Sequence, residues 1–505
     1  MKKSLFLVYV MLAGLLTVAG AGCRNGLSLT NTTTNNPPPV TGKGVVNGSV
    51  RDIETGAGIA NATISAGGQT ATTNANGVYR LVAPIGKMTL SVSAANYAAT
   101  TQRATIATAM ITKADWHLTK AYGTQSIPAA GMQYTILAWN DLGMHCDQDD
   151  YSYFAILPPA NNLYAQVFAR SSEDGATKNI TVTYEFPKKK NPSSQTNFWQ
   201  YAAKFGWNGT PNVGLAGNGP SGVMKPTGDG ITYAAAAIPV SPYDDDGTWD
   251  PFGTAVITVK DAKGNTLQTA NVVAPVSTEL GCSICHGTAN PQLDILAKHD
   301  KLNGGTLVAD QQAGTPHACA ECHSDNALKM AGKPGVESLS LAMHNSHKDK
   351  MQKSPLKPDC YNCHPGPNTQ CLRGIMARAG KSCVDCHGDL VKMTTALQKG
   401  RRPWLDEPKC SDCHGSLYAE NANTLYRNSV LNNTAGEGMN GRIFCEACHN
   451  STHAEHVTRN AADAEITMKF QGDNYWIWAC QVCHEQGKNG SPIHGAGRGA
   501  NGVSD

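Results

Sequence analysis

The pattern Cys-x-x-Cys-His occurs seven times between residues 282 and 484 of the 505-residue chain. The copies are CSICH (282–286), CAECH (319–323), CYNCH (360–364), CVDCH (383–387), CSDCH (410–414), CEACH (445–449) and CQVCH (480–484). In covalent haem attachment, two thiols add to the two vinyl groups of one haem and the histidine that follows ligates the iron. A zinc site would pair Cys-x-x-Cys motifs without needing the trailing histidine. Seven copies that all end in histidine therefore predict seven covalent c-type haems.

The motifs assign two classes of cofactor-binding residue. The predicted thioether cysteines are Cys282, Cys285, Cys319, Cys322, Cys360, Cys363, Cys383, Cys386, Cys410, Cys413, Cys445, Cys448, Cys480 and Cys483. The predicted proximal iron ligands are His286, His323, His364, His387, His414, His449 and His484.

Seven irons need seven further axial ligands, and residues 281–505 contain seven histidines outside the motifs. These predicted distal ligands are His299, His317, His344, His347, His453, His456 and His494. His344 and His347 are three residues apart, as are His453 and His456. On a helix such pairs share a face, so each imidazole reaches a different haem. His317 lies two residues before Cys319, and we expect it to serve a neighbouring haem.

Residues 281–496 resemble bacterial multihaem c-type cytochromes. The stretch "WNDLGMHCDQDDYSYFAILPPANN" resembles a segment found beside haem-binding regions in large exported cytochromes of metal-reducing bacteria. The resemblance implies electron transfer to other redox proteins or to a metal oxide, and assembly into a homopolymer stays open. Two imidazoles per iron leave no coordination position for a substrate, so we predict an electron carrier without catalytic residues.

The alternative is an enzyme, a multihaem reductase with one five-coordinate haem that acts on a small inorganic substrate. In similar reductases a lysine sometimes replaces the histidine of one motif, and no Cys-x-x-Cys-Lys occurs in this chain. The reductase requires that one of the seven distal histidines is not a ligand.

The elements that position the motifs form a multidomain chain. Residues 44–120 alternate in the strand pattern, with turn signals such as "ETGAG" and "NANG", which predicts an all-β sandwich. This stretch resembles the carboxypeptidase regulatory-like family, which implies an accessory or spacer module. Residues 128–276 predict a second β-rich domain, and residues 281–496 a seven-haem domain with short helices and little regular structure.

The N-terminus predicts export. Residues 1–23 combine Lys2 and Lys3 with an apolar run and small residues, and residues 24–43 form a polar linker. Ala19-Gly20-Ala21 fits a cleavage site, whereas Cys23 fits the lipid anchor of a lipoprotein. Either alternative places the protein in the periplasm or at the outer membrane and cell surface. The net charge of +2 gives no argument for nucleic acid binding.

Two cysteines, Cys146 and Cys371, lie outside the motifs and the signal segment. An oxidising compartment favours a disulfide between them, which would pin the middle domain to the haem domain. Free thiols and an intermolecular link are the alternatives.

Overall fold

The computed structural model describes residues 42–485 except 53–54, 98, 109–110, 119–126, 173–178, 288, 356–358, 367, 409, 411, 414–424 and 427–442. The predictions for the signal segment, Cys23, His414 and His494 fall outside the described residues. Within them the fold is multidomain and β-rich, with several sheets and short helices, as predicted.

The first sheets form a sandwich with its own core. One sheet has the order β4-β1-β7 with β8 also paired to β1, and the other has the order β3-β2-β5-β6. The strands are β1 Lys43–Asp52, β2 Thr63–Ala66, β3 Gln69–Thr72, β4 Val78–Pro84, β5 Gly86–Ser93, β6 Thr100–Ile106, β7 Ile111–Lys113 and β8 Trp116–Leu118. Alternate residues of β4, namely Tyr79, Leu81 and Ala83, are buried, because successive side chains point to opposite faces of a strand.

The middle region contains two four-stranded sheets, with the orders β15-β16-β12-β9 and β14-β13-β17-β18. Their strands are β9 Tyr134–Asn140, β12 Asn161–Ala169, β13 Thr181–Glu185, β14 Ser221–Val223, β15 Lys225–Pro226, β16 Thr232–Ile238, β17 Thr254–Lys260 and β18 Thr266–Val273. Two short parallel pairs join distant segments: β10 (His145–Cys146) with β19 (Val276–Ser277), and β11 (Phe154–Ala155) with β20 (His317–Ala318).

The motif-bearing region is built from short helices. After α1 (Phe198–Tyr201) in the middle region come α2 Ser283–His286, α3 Pro291–Asn303, α4 Leu307–Gln312, α5 Leu339–Lys353, α6 Ile375–Arg378, α7 Cys383–His387, α8 Leu390–Gln398, α9 Cys445–His449 and α10 Glu465–Phe470. A last strand pair joins β21 (Leu425–Tyr426) and β22 (Ile443–Phe444). No helix among the described residues is long and apolar enough to cross a membrane.

The core of the middle sheets also includes the last part of the chain. Ile466, Phe470 and Val482 are buried in the same cluster as Ile136 and Val167. Arg170 reinforces the contact, since its Nη2 donates a hydrogen bond of 2.8 Å to the Gln481 carbonyl. This packing crosses the predicted domain boundary between residues 276 and 281.

Candidate haem-binding sites

We number the sites 1 to 7 in the chain order of their motifs. The six motifs other than the fifth, which lies partly outside the described residues, each form a single helical turn. The amides of His286, His323 and His364 donate hydrogen bonds of 3.0, 2.9 and 2.8 Å to the carbonyl of the first cysteine of their own motif. Helices α7 and α9 cover the fourth and sixth motifs from first cysteine to histidine. Because residues i, i+3 and i+4 share one helix face, the turn directs both thiols and the imidazole to the same side.

At sites 1 to 4 the structure places the motif histidine opposite a histidine from outside the motifs. The ring centroids are 6.3 Å apart for His286 and His347, 6.4 Å for His323 and His299, 6.2 Å for His364 and His344, and 6.1 Å for His387 and His453. Two imidazoles that ligate one metal from opposite sides at about 2.0 Å place their centroids about 6 Å apart, since each ring adds about 1 Å. The four separations fit one axially ligated iron per pair.

The hydrogen bonds of these rings leave the same nitrogen for a metal. The Nδ1 atoms of five rings face an oxygen: His286 with Asp294 (2.8 Å), His323 with the Glu337 carbonyl (2.7 Å), His344 with the Ser340 carbonyl (2.7 Å), His347 with the Met343 carbonyl (2.7 Å) and His453 with the Leu142 carbonyl (2.9 Å). A proton held on Nδ1 leaves the Nε2 lone pair free to ligate, which is the usual arrangement of metal-binding histidines. Backbone acceptors carry no signal in the sequence, so these partners were not predicted.

Helix α5 carries two of the distal histidines. The Ser338 hydroxyl caps its N-terminus by accepting from the Leu341 amide at 3.3 Å. His344 and His347 lie in consecutive turns of this helix, His344 toward site 3 and His347 toward site 1. The histidines that the sequence placed on one helix face thus lie beside two different motifs.

Site 6 is formed within one tight loop. The His456 amide donates to the His449 carbonyl at 2.9 Å, and the His456 side chain is buried. Burial, together with the nearby His449, lowers the pKa of His456 to about 3. Burial and neighbouring histidines likewise lower the pKa of His364 to about 4. Both imidazoles are therefore neutral near pH 7, the protonation state that metal ligation requires.

His453 differs in its electrostatics. Burial alone would lower the pKa of His453. The nearby Cys371 thiol and the hydrogen bond to the Leu142 carbonyl outweigh burial and raise this pKa to about 9. The Cys371 Sγ lies 3.7 Å from Nδ1. A metal at site 4 would displace a proton from this ring at neutral pH. Gly143, with φ of +71°, allows the backbone of this segment to approach Thr452, because a Cβ there would lie 2.1 Å from the Thr452 carbonyl oxygen.

Two candidate histidines have other partners. His317 Nδ1 lies 2.9 Å from Glu321 and its Nε2 3.5 Å from Asp310, so both ring nitrogens face carboxylates. His145, which the sequence left outside the distal set, is buried with its Nε2 2.6 Å from Asp141. His317 is thus the predicted distal ligand that the described structure places differently from the others.

Thiols of different motifs also lie together. Cys360 and Cys383 share a hydrogen bond, which raises the pKa of Cys360 and lowers that of Cys383. Cys146 and Cys371 are near one another but both are free thiols, so the predicted disulfide between them is not formed in the structure. Burial raises the pKa of Cys146 to about 12.

Some apolar side chains within the motifs and on α3 are exposed. Ile284 and Val384, which lie inside the first and fourth motifs, are 51% and 48% exposed, and Leu302 on α3 is 73% exposed. A flat apolar macrocycle would bury such surface, and each buried CH₂ contributes about 0.8 kcal/mol. Among the described residues, no three His, Cys, Asp or Glu side chains converge on one metal position, so the arrangement is one of pairs.

Comparison with known proteins identifies one part of the chain. Residues 45–119 match the family described as "Carboxypeptidase regulatory-like domain". They form a carboxypeptidase regulatory-like β-sandwich, as the sequence predicted. A search of curated proteins finds no match to the chain.

Solved structures show only weak likenesses. A type II cohesin–X-dockerin complex from Acetivibrio cellulolyticus is 20% identical, with 15% of this chain and 52% of that chain covered, at a TM-score of 0.12. A DUF3823 family protein from Bacteroides ovatus is 12% identical, with coverages of 46% and 99% and a TM-score of 0.14. The major pilin subunit BcpA of Bacillus cereus is 12% identical, with coverages of 46% and 69% and a TM-score of 0.15. At these TM-scores none of the likenesses bears on function.

Proposed function

We propose that the protein transfers electrons through seven covalently bound c-type haems, each iron ligated by its motif histidine. The observation that carries the proposal is the geometry at sites 1 to 4, where each motif imidazole faces a second imidazole at 6.1–6.4 Å between centroids. A haem bound there would supply a one-electron iron couple. The chain's own contribution would be to fix both imidazoles, to hold the Nδ1 proton of five of these eight rings and to offer apolar side chains to the macrocycle.

Several features support this proposal over a structural metal. The single-turn motifs point two thiols and one imidazole to one side, as thioether attachment requires. At sites 1 to 4 the distal imidazole comes from an element separate from the motif, so these four sites are closed from two sides. Exposed apolar residues such as Ile284 and Leu302 give the macrocycle a surface to cover.

The rival function is a multihaem reductase with one five-coordinate iron. The position of His317 between Asp310 and Glu321 favours keeping this alternative, because it removes one of the seven predicted distal ligands. An iron with an open coordination position could bind a small inorganic substrate. Electron transfer remains the better supported function, because five motif histidines already lie beside a second histidine.

The signal segment supports export, with the protein in the periplasm or at the outer membrane and cell surface, through a lipid anchor at Cys23 if that residue is lipidated. Its partners would then be other cytochromes or a metal oxide as electron acceptor. The carboxypeptidase regulatory-like sandwich would act as a spacer between the anchor and the haem sites.

The experiment is haem quantitation combined with spin-state spectroscopy on the full chain, produced in a bacterium that matures c-type cytochromes. We expect seven haems per chain by mass and absorbance, with entirely low-spin ferric signals. One high-spin haem per chain would instead favour the reductase. A colourless protein, or zinc at the thiols, would overturn the proposal. A C282A/C285A variant is the matched control and should contain six haems.

A further inference from the structure

We infer that the sites connect in an order different from that of the motifs, because each of two His-x-x-His segments serves two non-consecutive sites. Helix α5 joins sites 1 and 3, and the loop with His453 and His456 joins sites 4 and 6. The connected series is therefore 1–3–4–6, with site 2 attached beside site 1. This inference rests on the proposed function, and it states the route along which electrons would pass.

Sites 1 and 3 are joined by α5. His347 faces His286 at 6.3 Å and His344 faces His364 at 6.2 Å. Three residues of helix correspond to about 4.5 Å of rise, and side chains so spaced are neighbours. The backbones of the two motifs also touch, since a Cβ added to Gly281 would lie 2.0 Å from the Asn362 carbonyl oxygen.

Site 2 attaches to site 1 through α3. Asp294 on this helix holds His286 Nδ1 at 2.8 Å, and His299 on the same helix faces His323 at 6.4 Å. Five residues separate Asp294 from His299, which is about 7.5 Å of rise. The second motif is therefore a neighbour of the first through a different helix from the one that leads to site 3.

Sites 3 and 4 lie side by side, because the sulfur atoms of Cys360 and Cys383 are within hydrogen-bonding distance of each other. The segment between these two motifs also binds the distal loop of site 4, because the amides of Arg373 and Gly374 donate to the His453 carbonyl at 2.8 and 2.9 Å. The third and fourth sites are thus consecutive both in the chain and in space.

Sites 4 and 6 are joined by the loop that contains both of their distal histidines. The ring centroids of His453 and His387 are 6.1 Å apart, and the His456 amide donates a hydrogen bond of 2.9 Å to the His449 carbonyl. Three residues of extended chain span at most about 11 Å. The fourth and sixth sites are therefore neighbours although the fifth motif lies between them in the sequence.

The test combines the loss of one distal histidine with the loss of one haem. H347A should leave one high-spin haem per chain, which added imidazole returns to low spin and so shows an intact pocket. In a chain that also carries C282A/C285A this high-spin signal should fall from one haem to none. With C360A/C363A instead it should persist at one. H344A is the matched control. Its high-spin signal should disappear with C360A/C363A and persist at one haem with C282A/C285A.

The same design applies to the loop with His453 and His456. The high-spin signal of H456A should disappear with C445A/C448A, and that of H453A should disappear with C383A/C386A. If a deletion variant does not accumulate, H347M in the seven-haem chain replaces it. Its methionine methyl protons should show NOEs to the haem on Cys282 and Cys285. Contacts to the haem on Cys360 and Cys363, or a high-spin signal from H347A that survives C282A/C285A, would overturn the order. A chain without haem would instead refute the proposed function, so the two failures are distinguishable.

Discussion

Replacing Arg373 with methionine should release the loop that carries His453 and His456. Arg373 and Asp463 are only 2% and 3% exposed, and their side chains form a two-pronged ion pair at 2.6 and 2.7 Å. Arg373 Nη1 also donates to the carbonyls of Gly143 and Cys371, at 2.5 and 3.2 Å. Its guanidinium lies 5.0 Å above the Phe252 ring. One side chain thus joins the middle region, the segment between motifs and the distal loop.

The magnitude follows from the charge that remains. R373M keeps most of the apolar volume but leaves the Asp463 carboxylate buried without its cation, which typically costs about 3–5 kcal/mol. If this whole free-energy loss affects local opening of the loop, the equilibrium constant for opening increases by a factor of about 10²–10⁴. The amides that report it are those of Gly374, which donates to His453, and Arg459, which donates to the residue 373 carbonyl at 3.1 Å.

Hydrogen exchange measured by mass spectrometry would test this. We expect both amides to exchange at least 100-fold faster in R373M. The matched control is R402M, which removes an ion pair to Asp406 in which the arginine side chain is 62% exposed. Water replaces such a partner, so exchange at Gly374 and Arg459 should not change there. An increase below tenfold in R373M would refute the assignment of Arg373 as the residue that fixes the loop.

Three further predictions concern the β-regions. Burial raises the pKa of Asp147 to about 7, so the folded state holds a proton that the unfolded state releases near pH 4. Stability should therefore fall by about 4 kcal/mol from pH 4 to 7, and D147N, which can still accept from the Tyr151 hydroxyl, should remove that slope in pH-dependent calorimetry. Y79F should cost the sandwich about 1–3 kcal/mol in urea unfolding, because the Tyr79 hydroxyl donates to the buried Ala114 carbonyl at 2.7 Å. A chain truncated to 281–505 should aggregate or contain high-spin haem, whereas residues 43–118 alone should give a cooperative thermal transition.

Patterns of short range were predictable from the sequence. The alternation of Tyr79, Leu81 and Ala83 determines which face of β4 is buried, and it requires no knowledge of distant residues. The turn after Lys260 likewise joins β17 and β18, which are adjacent in the chain, into an antiparallel hairpin. The spacing of His344 and His347 was enough to expect two neighbouring sites, because helical geometry relates residues three apart.

The partners across the chain could not be predicted. His453 faces a histidine 66 positions earlier, at residue 387, and its Nδ1 proton goes to the carbonyl of Leu142. Every residue has a backbone carbonyl, so the sequence does not show which one accepts a hydrogen bond from a given histidine. The contact between His317 and Asp310 could not be predicted either, because it depends on how the chain turns between α4 and β20.

The middle sheets take part in positioning the candidate ligands. Leu142 lies two residues beyond β9, and its carbonyl accepts a hydrogen bond from the His453 ring of site 4. Arg170, one residue beyond β12, donates to the His484 carbonyl at 3.2 Å in the seventh motif, while Phe470 of α10 is buried in the core of the same sheets. The described residues between 281 and 413 bury few aliphatic side chains, whereas Ile466, Ile477 and Val482 are buried against the sheets, which provide the rigid surface for the last sites. A substitution in the middle core should therefore disturb sites 4, 6 and 7 before sites 1 and 3, whose ligands lie on α5 and on the motifs themselves.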